Sequence, residues 1–475
     1  MKRIIVALCS LLVAGGLLQA RNVNVLDFGA VPDGKTLCTK QLQAAIDECA
    51  NTGGGVVTVP AGRYLTGCLL LRSHVELYLE RASVILGSLR IPEDYATHKA
   101  IIYAHGIHDA GISGPGYIDG QSNDPSFLSR FKINDGKRPH AVDFHDCQDI
   151  SVRDVHMINA GSWTLSLVRC DGVTIDGVRI YSLSIGNNDG IDIEARNVTV
   201  SNCRISSDDD AICMKNSLPD FTTEYITITN CVVASNCNPI KFGTPSYKGY
   251  RNVTVSNCVI RRAEESNQWD WGVDESPSGF SYGEYKEVAP GAITGLAGIA
   301  VEAVDGAFIE NLSFSNIVME GVVTPVFVCT GHRHNNSGAI KNLQFTNITA
   351  KCEGIIPCLI SGLPDARIEG LVIRDFIVEH AGGQAAMTEP LKQNVTGYPE
   401  NRMYGPDNPA GGLYLRCVDN ALVENFQVTQ RKSDARPTVV LDDVDGFRIR
   451  GLQIKGSTAK DAIQSNSSKN VVVEK

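Results

Sequence analysis

The chain has 475 residues and a formal net charge of −10, from 43 lysines and arginines against 53 aspartates and glutamates, with no basic block anywhere along it. That balance makes nucleic acid and anionic membrane surfaces poor partners. Fifteen cysteines are present, a disulfide framework being their first reading in an exported protein.

Residues 1–20, MKRIIVALCSLLVAGGLLQA, place two cations before an apolar run that ends in a small residue. This is the pattern of a secretory signal peptide, so the mature chain is expected to begin near Arg21 and to be secreted or periplasmic. The apolar run is too short to span a bilayer comfortably and no comparable run follows, so membrane insertion is not expected. No low-complexity linker divides residues 21–475, and a repeat architecture can grow along one axis without a boundary. A single domain over that range, acting as a monomer, is expected.

A short apolar alternation recurs through the chain. It reads DISVRDV at 149–155, GVTIDGV at 172–178, NVTVSNC at 197–203, YITITNC at 225–231 and NVTVSNC at 252–258, in steps of 23, 25, 28 and 27 residues. NLSFSNI at 311–317, NLQFTNI at 342–348, GLVIRDF at 370–376 and GFRIRGL at 446–452 continue it. Units of this length, each a strand of period two, cannot bury a face alone and must stack. Valine, isoleucine, threonine and phenylalanine dominate, the leucine ladder of leucine-rich repeats is absent, and so is the Trp-Asp signature of propeller blades. The expected fold is all-β, a right-handed parallel β-helix of about ten coils spaced roughly 4.8 Å apart.

Cys203, Cys231 and Cys258 share one phase of the repeat and should stack inward as small apolar side chains. No Cys-x-x-Cys pair has zinc spacing. A second strand of each coil aligns as GIDIEA from Gly190, AICMKN from Ala211, PIKFGT from Pro239 and GIAVEA from Gly298. The residues just before these strands, Asp189, Asp210, Asn238 and Ala297, then form a column on successive coils. Long insertions near 120–140, 264–296 and 381–410 fall at the same phase and would wall that column.

Cleavage of a glycosidic bond with inversion needs a carboxylic acid to protonate the leaving oxygen and a carboxylate to activate water. Crowded carboxylates raise the pKa of one member, which keeps that proton available. The segments NNDGID at 187–192 and SDDDAICMKN at 207–216 resemble the paired motifs of the polygalacturonase family, glycoside hydrolase family 28. VNVLDFGAVPDGKT, GGGVVTVPAGRYLTG at 53–67, ISGPGYIDGQ at 112–121, SWTLSLVRCDGVTIDGV at 162–178 and YPENRMYGPDNPAGGLYLR at 398–416 are similar to it as well.

The resemblance implies an inverting hydrolase of pectic polysaccharide or oligosaccharide with no metal and no organic cofactor. It makes Asp209 the general acid, with Asp189 and Asp210 activating water. Adjacent residues of a regular strand face opposite sides, so Asp209 and Asp210 must sit at an irregular turn. Asp208, in place of the family's glycine, is expected to face solvent.

Several positions depart from the family pattern. Asn238 stands where the family has histidine, and Ala300 and Glu302 stand where it has an Arg-x-Lys pair that grips uronate carboxylates. An acid there would repel a uronate, which weighs against ordinary endo-polygalacturonase activity. Lys215 and Lys241 are candidates to replace the lost cation, with a solvated surface charge as the plainer role for each. Trp163 and Tyr398, in family-like segments, are candidates to contact sugar, as are Trp269, Trp271, Phe280, Tyr282 and Tyr285 of the 264–296 insertion. His332, Arg333 and His334 form a second cleft candidate. Two other functions fit the same fold: a calcium-dependent polysaccharide lyase and a non-catalytic carbohydrate-binding β-helix.

Overall fold

The computed structural model describes residues 21–474 except 92, 128–136, 264–294, 335–336, 388, 390, 393–395, 400 and 405–406. The expected leader at 1–20 lies outside the described residues, as do Trp269, Trp271, Phe280, Tyr282 and Tyr285.

Named strands from Arg21–Asn24 to Lys469–Glu474 pair in parallel to form a right-handed parallel β-helix. Along one face the register is carried coil to coil, while bulges such as that between Val168 and Cys170 interrupt it elsewhere. Val198 lies beside Ile226, then Val253, Leu312, Leu343, Leu371, Ala421, Phe447 and Val471 in one inward column. A one-residue slip would turn every member of that column to the outside, so burial fixes the register.

The repeat motif explains its own corners. In NVTVSNC the two asparagines bracket the strand, and Asn252 and Asn257 take left-handed backbone angles of 57° and 55°. Asparagine tolerates that region because its short amide can bond locally. The amides also bond along the helix axis: Asn311 donates to Asn252 at 3.0 Å, Asn342 to Asn311 at 2.9 Å, Asn316 to Asn257 at 3.1 Å and Asn347 to Asn316 at 2.8 Å.

Inside, like stacks on like. Cys203, Cys231 and Cys258 are buried in one column, and all the cysteines of the described residues are free thiols. Phe314 lies parallel to Phe345 at 5.0 Å and edge-on to Phe242 at 5.8 Å. One element was not foreseen, the helix Thr39–Asn51, whose Leu42, Ala45, Ile46 and Cys49 are buried. Their i, i+3, i+4, i+7 spacing makes one apolar stripe, which lies against the first strands and closes the N-terminal end of the core.

Each coil presents three faces. The one that matters for function is built from strands such as His140–His145, Ile212–Asn216, Ile240–Ser246, Gly295–Ala303 and Leu413–Arg416. It follows the face carrying Arg204–Ser207 and Val232–Ser235. The stretches 120–139, 263–294 and 383–412 all leave this preceding face and lead into the site face.

Replacing Phe314 by alanine removes a ring stacked on Phe345 and edge-on to Phe242, at a cost of about 3–5 kcal/mol. The Phe314→Ala variant is expected to unfold at a clearly lower urea midpoint, followed by circular dichroism.

Candidate active site

The aligned column Asp189, Asp210, Asn238 and Ala297 assembles through backbone bonds: Gly190 N donates to Asp210 O at 2.9 Å and Ala211 N to Asn238 O at 3.1 Å. Asp208, Asp209 and Asp210 occupy the turn between Arg204–Ser207 and Ile212–Asn216, so strand alternation does not apply to them. Ser207 and Ser235 both donate to the carbonyl of Asp209, at 2.8 and 2.6 Å, and fix that turn.

Each acid is held differently. The Asp209 carboxylate accepts from the backbone N of Asn187 at 3.1 Å, from the Asn187 amide at 3.5 Å and from the N–H of Asp210 at 2.9 Å. Its own N–H donates to Asn188 Oδ1 at 3.2 Å. Asp210 accepts from the backbone and side chain of Asn238, at 3.2 and 3.0 Å, and pairs with Lys241 Nζ at 3.0 Å. Asp189 pairs with Lys215 Nζ at 2.9 Å, and the same ammonium reaches Asp192 at 3.2 Å. Asp189, Asp192 and Asp210 are buried, whereas Asp209 is half-buried.

Burial and the neighbouring charges set the protonation pattern. Burial, followed by the charges of Asp189 and Asp210, pushes Asp209 up to about 7. Burial raises Asp192 well above the carboxylate range, with Asp189 adding to the effect. Burial also works against the charged form of Asp210, but Lys241 and Lys215 outweigh it and hold this carboxyl below its ordinary value. Burial opposes the charge on Lys215 and Lys241, yet their carboxylate partners overcome it and raise both well above an ordinary lysine.

Trp163 and Tyr398 also come to the site. Lys215 Nζ lies 4.8 Å from the centre of the Trp163 ring, and Lys241 Nζ lies 3.4 Å from the Tyr398 hydroxyl. Tyr398 arrives from the 381–410 insertion and also faces the Arg333 guanidinium at 5.5 Å. That guanidinium forms two bonds to the buried Asp305, at 2.8 and 2.9 Å. His334 lies 3.6 Å from Asp305, and His332 turns away to Asp365 at 3.2 Å.

Two expectations need correction. Asp208 does not face solvent: it is buried and accepts from Asn236 at 2.9 Å, because its coil neighbours close over that part of the turn. Lys215 and Lys241 are not solvated surface charges either, being buried between carboxylates. Glu302 is fully buried, and Ala300 lies beside Lys241 on the next coil.

Sequence reasoning passed over Arg138, Asn187, Asn188 and Asp192. Asn187, Asn188 and Asp192 stood inside the quoted NNDGID segment, but Arg138 carried no signal because its partners are remote in sequence. Buried Arg138 donates to the carbonyls of Gly161 and Gly186 at 2.9 and 2.7 Å, and to Asn187 Oδ1 at 3.0 Å, bracing the residue that grips Asp209.

Oxygens of Asp189 and Asp210 lie with Cys213 Sγ within 4.8 Å of one another, and so do those of Asp209 and Asp210 with Cys237 Sγ. The donor set does not suit calcium, which takes six to eight oxygens. Here the ammonium groups of Lys215 and Lys241 already stand against the carboxylates that would supply them.

Beyond the acids the outward side of the face becomes apolar. Ala300, Phe327, Leu359, Tyr414 and Val440 are buried with Leu391, Tyr404 and Ala410 of the long insertion. Toward the N-terminus the corresponding positions are Ser166, Asp143 and Tyr103.

The profile of glycosyl hydrolases family 28 matches residues 49–266, which contain the whole acid cluster. Over that range the chain is similar to glycoside hydrolase family 28. It is 30% identical over 288 residues to a probable polygalacturonase of Vitis vinifera, covering 54% of the chain and 58% of that relative. It is 25% identical over 295 residues to rhamnogalacturonase A of Emericella nidulans, covering 55% and 54%. The chain thus spans little more than half the length of these curated relatives. An exopolygalacturonase of Thermotoga maritima shares the fold over 92% of both chains, with a TM-score of 0.62 and 20% identity.

Lys241→Met leaves Asp210 buried without its cation, which costs about 3–5 kcal/mol where the carboxylate stays charged. Protonation relieves that penalty, so the variant should lose more stability at pH 8 than at pH 5. Urea denaturation of variant and parent at both pH values measures the difference.

Proposed function

We propose that the chain hydrolyses a glycosidic bond in a pectic polysaccharide or oligosaccharide. The observation that carries this is one half-buried carboxyl, Asp209, pushed up to about 7 beside two buried carboxylates held by lysines. Asp209 holds a proton near neutrality and donates it to the leaving glycosidic oxygen. Asp189 and Asp210, whose nearest oxygens lie within 4.8 Å, are close enough to share one water and take its proton as it attacks the anomeric carbon. The product then has inverted configuration. Trp163 and Tyr398 offer ring faces for sugar next to the acids, while Lys215 and Lys241 hold Asp189 and Asp210 in place through ion pairs. Asn238 positions Asp210 through two hydrogen bonds.

The apolar cover over Ala300, Phe327 and Tyr414 supports approach of the saccharide from the N-terminal coils and attack near a chain end. The leader-like residues 1–20 support export, which brings the enzyme to an extracellular polymer.

Asp209→Asn should lower kcat by a factor of roughly 100 or more while saccharide affinity changes little. The test is turnover and equilibrium binding on purified galacturonan and rhamnogalacturonan fractions. Reducing ends without ultraviolet-absorbing unsaturated products are expected, and activity should survive chelator. Unsaturated products, or full activity in the Asn variant, would overturn the assignment. Proton NMR of the first-formed anomer checks inversion, and product size distinguishes terminal from internal cleavage.

The parent enzyme's kcat should fall as pH rises through about 7, where Asp209 loses its proton. It should hold on the acid side, because Asp210 stays ionised below the ordinary carboxylate range. A pH–rate profile from pH 4 to 9 measures both limbs.

A further inference from the structure

We propose that His74, His108 and Asp109 form a binding site for one first-row transition metal ion, zinc being the first to test. The three lie on two adjacent coils at the corner that leads into strands Val75–Leu79 and His108–Ser113. The acid cluster occupies a different corner, the one entering the site face. Nδ1 of His108 is 2.9 Å from Asp109 Oδ2, and Nδ1 of His74 is 3.8 Å from the same oxygen. One ligand atom from each of the three residues lies within 4.8 Å of the others.

A zinc ion takes nitrogen and oxygen ligands at about 2.0–2.1 Å, which in a tetrahedron puts the donors roughly 3.3 Å apart. The separations of 2.9 and 3.8 Å from the Asp109 oxygen bracket that spacing, and the third pair of donors lies within 4.8 Å. Two imidazoles and one carboxylate suit zinc, nickel or copper better than calcium or magnesium, which take oxygen ligands.

The backbone holds the two coils in place before any ion arrives. His74 N donates to His108 O at 3.2 Å, and His108 N donates to Ser73 Oγ at 3.1 Å. The rings stand at 83° with centroids 4.7 Å apart. The side chains of His74, His108 and Asp109 are 54%, 50% and 60% exposed, which leaves room for water to complete the coordination. The ion would tie together the rungs of Val75–Leu79 and His108–Ser113, the third and fourth of their sheet counted from Arg21–Asn24. A plain His108–Asp109 hydrogen bond would make no use of His74, so His74 separates the two cases.

Titration of the tag-free full chain with zinc chloride at pH 7.5 in a non-chelating buffer, followed by calorimetry, tests the site. About one equivalent should bind, and His74→Ala and His108→Ala should each weaken binding by about tenfold or more. Zinc should raise the Tm of the parent protein and not of the variants, since only an ion bound to the native state stabilises it. Both positions are exposed, so circular dichroism of the variants should match the parent. Absence of saturable binding, or equal affinity in parent and variants, would overturn the site. The readout is binding and melting, so the outcome does not depend on whether the chain cleaves pectin.

Discussion

The parallel hydrogen-bonded register between coils is the constraint on which everything else depends. Residues about one repeat apart in sequence become neighbours at strand spacing, and the sequence can vary widely as long as inward positions stay apolar. That is how Asp189, Asp210 and Asn238 meet through backbone bonds of 2.9 and 3.1 Å. The same rule makes the asparagine ladders and the phenylalanine stack.

Electrostatic balance is the second level of organisation. Four carboxyls, Asp189, Asp192, Asp209 and Asp210, gather with only two ammonium groups. Asp192 and Asp209 are both pushed upward, while Lys215 stands against Asp189 and Lys241 against Asp210. A buried charge without a partner is expensive, and the pocket avoids that state by holding protons. Asp209, one of the two acids pushed upward, is the half-buried member of the cluster.

Much of this was legible in the sequence, because a solenoid turns sequence spacing into spatial distance. The strand phase, the inward cysteines and the acid column all follow from period-two alternation and a repeat of about 27 residues. Contacts between side chains of different faces do not follow. Arg138 lies outside the aligned strands, so their alternation does not show that its guanidinium bonds the carbonyls of Gly161 and Gly186 and the side chain of Asn187. Burial of Asp208 and of the two lysines was likewise invisible, since local sequence gives the direction of a side chain but not what covers it. The capping helix Thr39–Asn51 carries a plain apolar stripe and could have been found by helical periodicity, which the search for strands overlooked.

That helix has a bearing on solubility. A bare first rung, from Arg21–Asn24 onward, would show its apolar interior and a row of unsatisfied amides and carbonyls, a ready seat for strands of another copy. Laying Leu42, Ala45, Ile46 and Cys49 across that opening ends the lattice with backbone groups that bond within the helix itself. At this pole the architecture that would otherwise polymerise is kept finite by one short segment of different secondary structure.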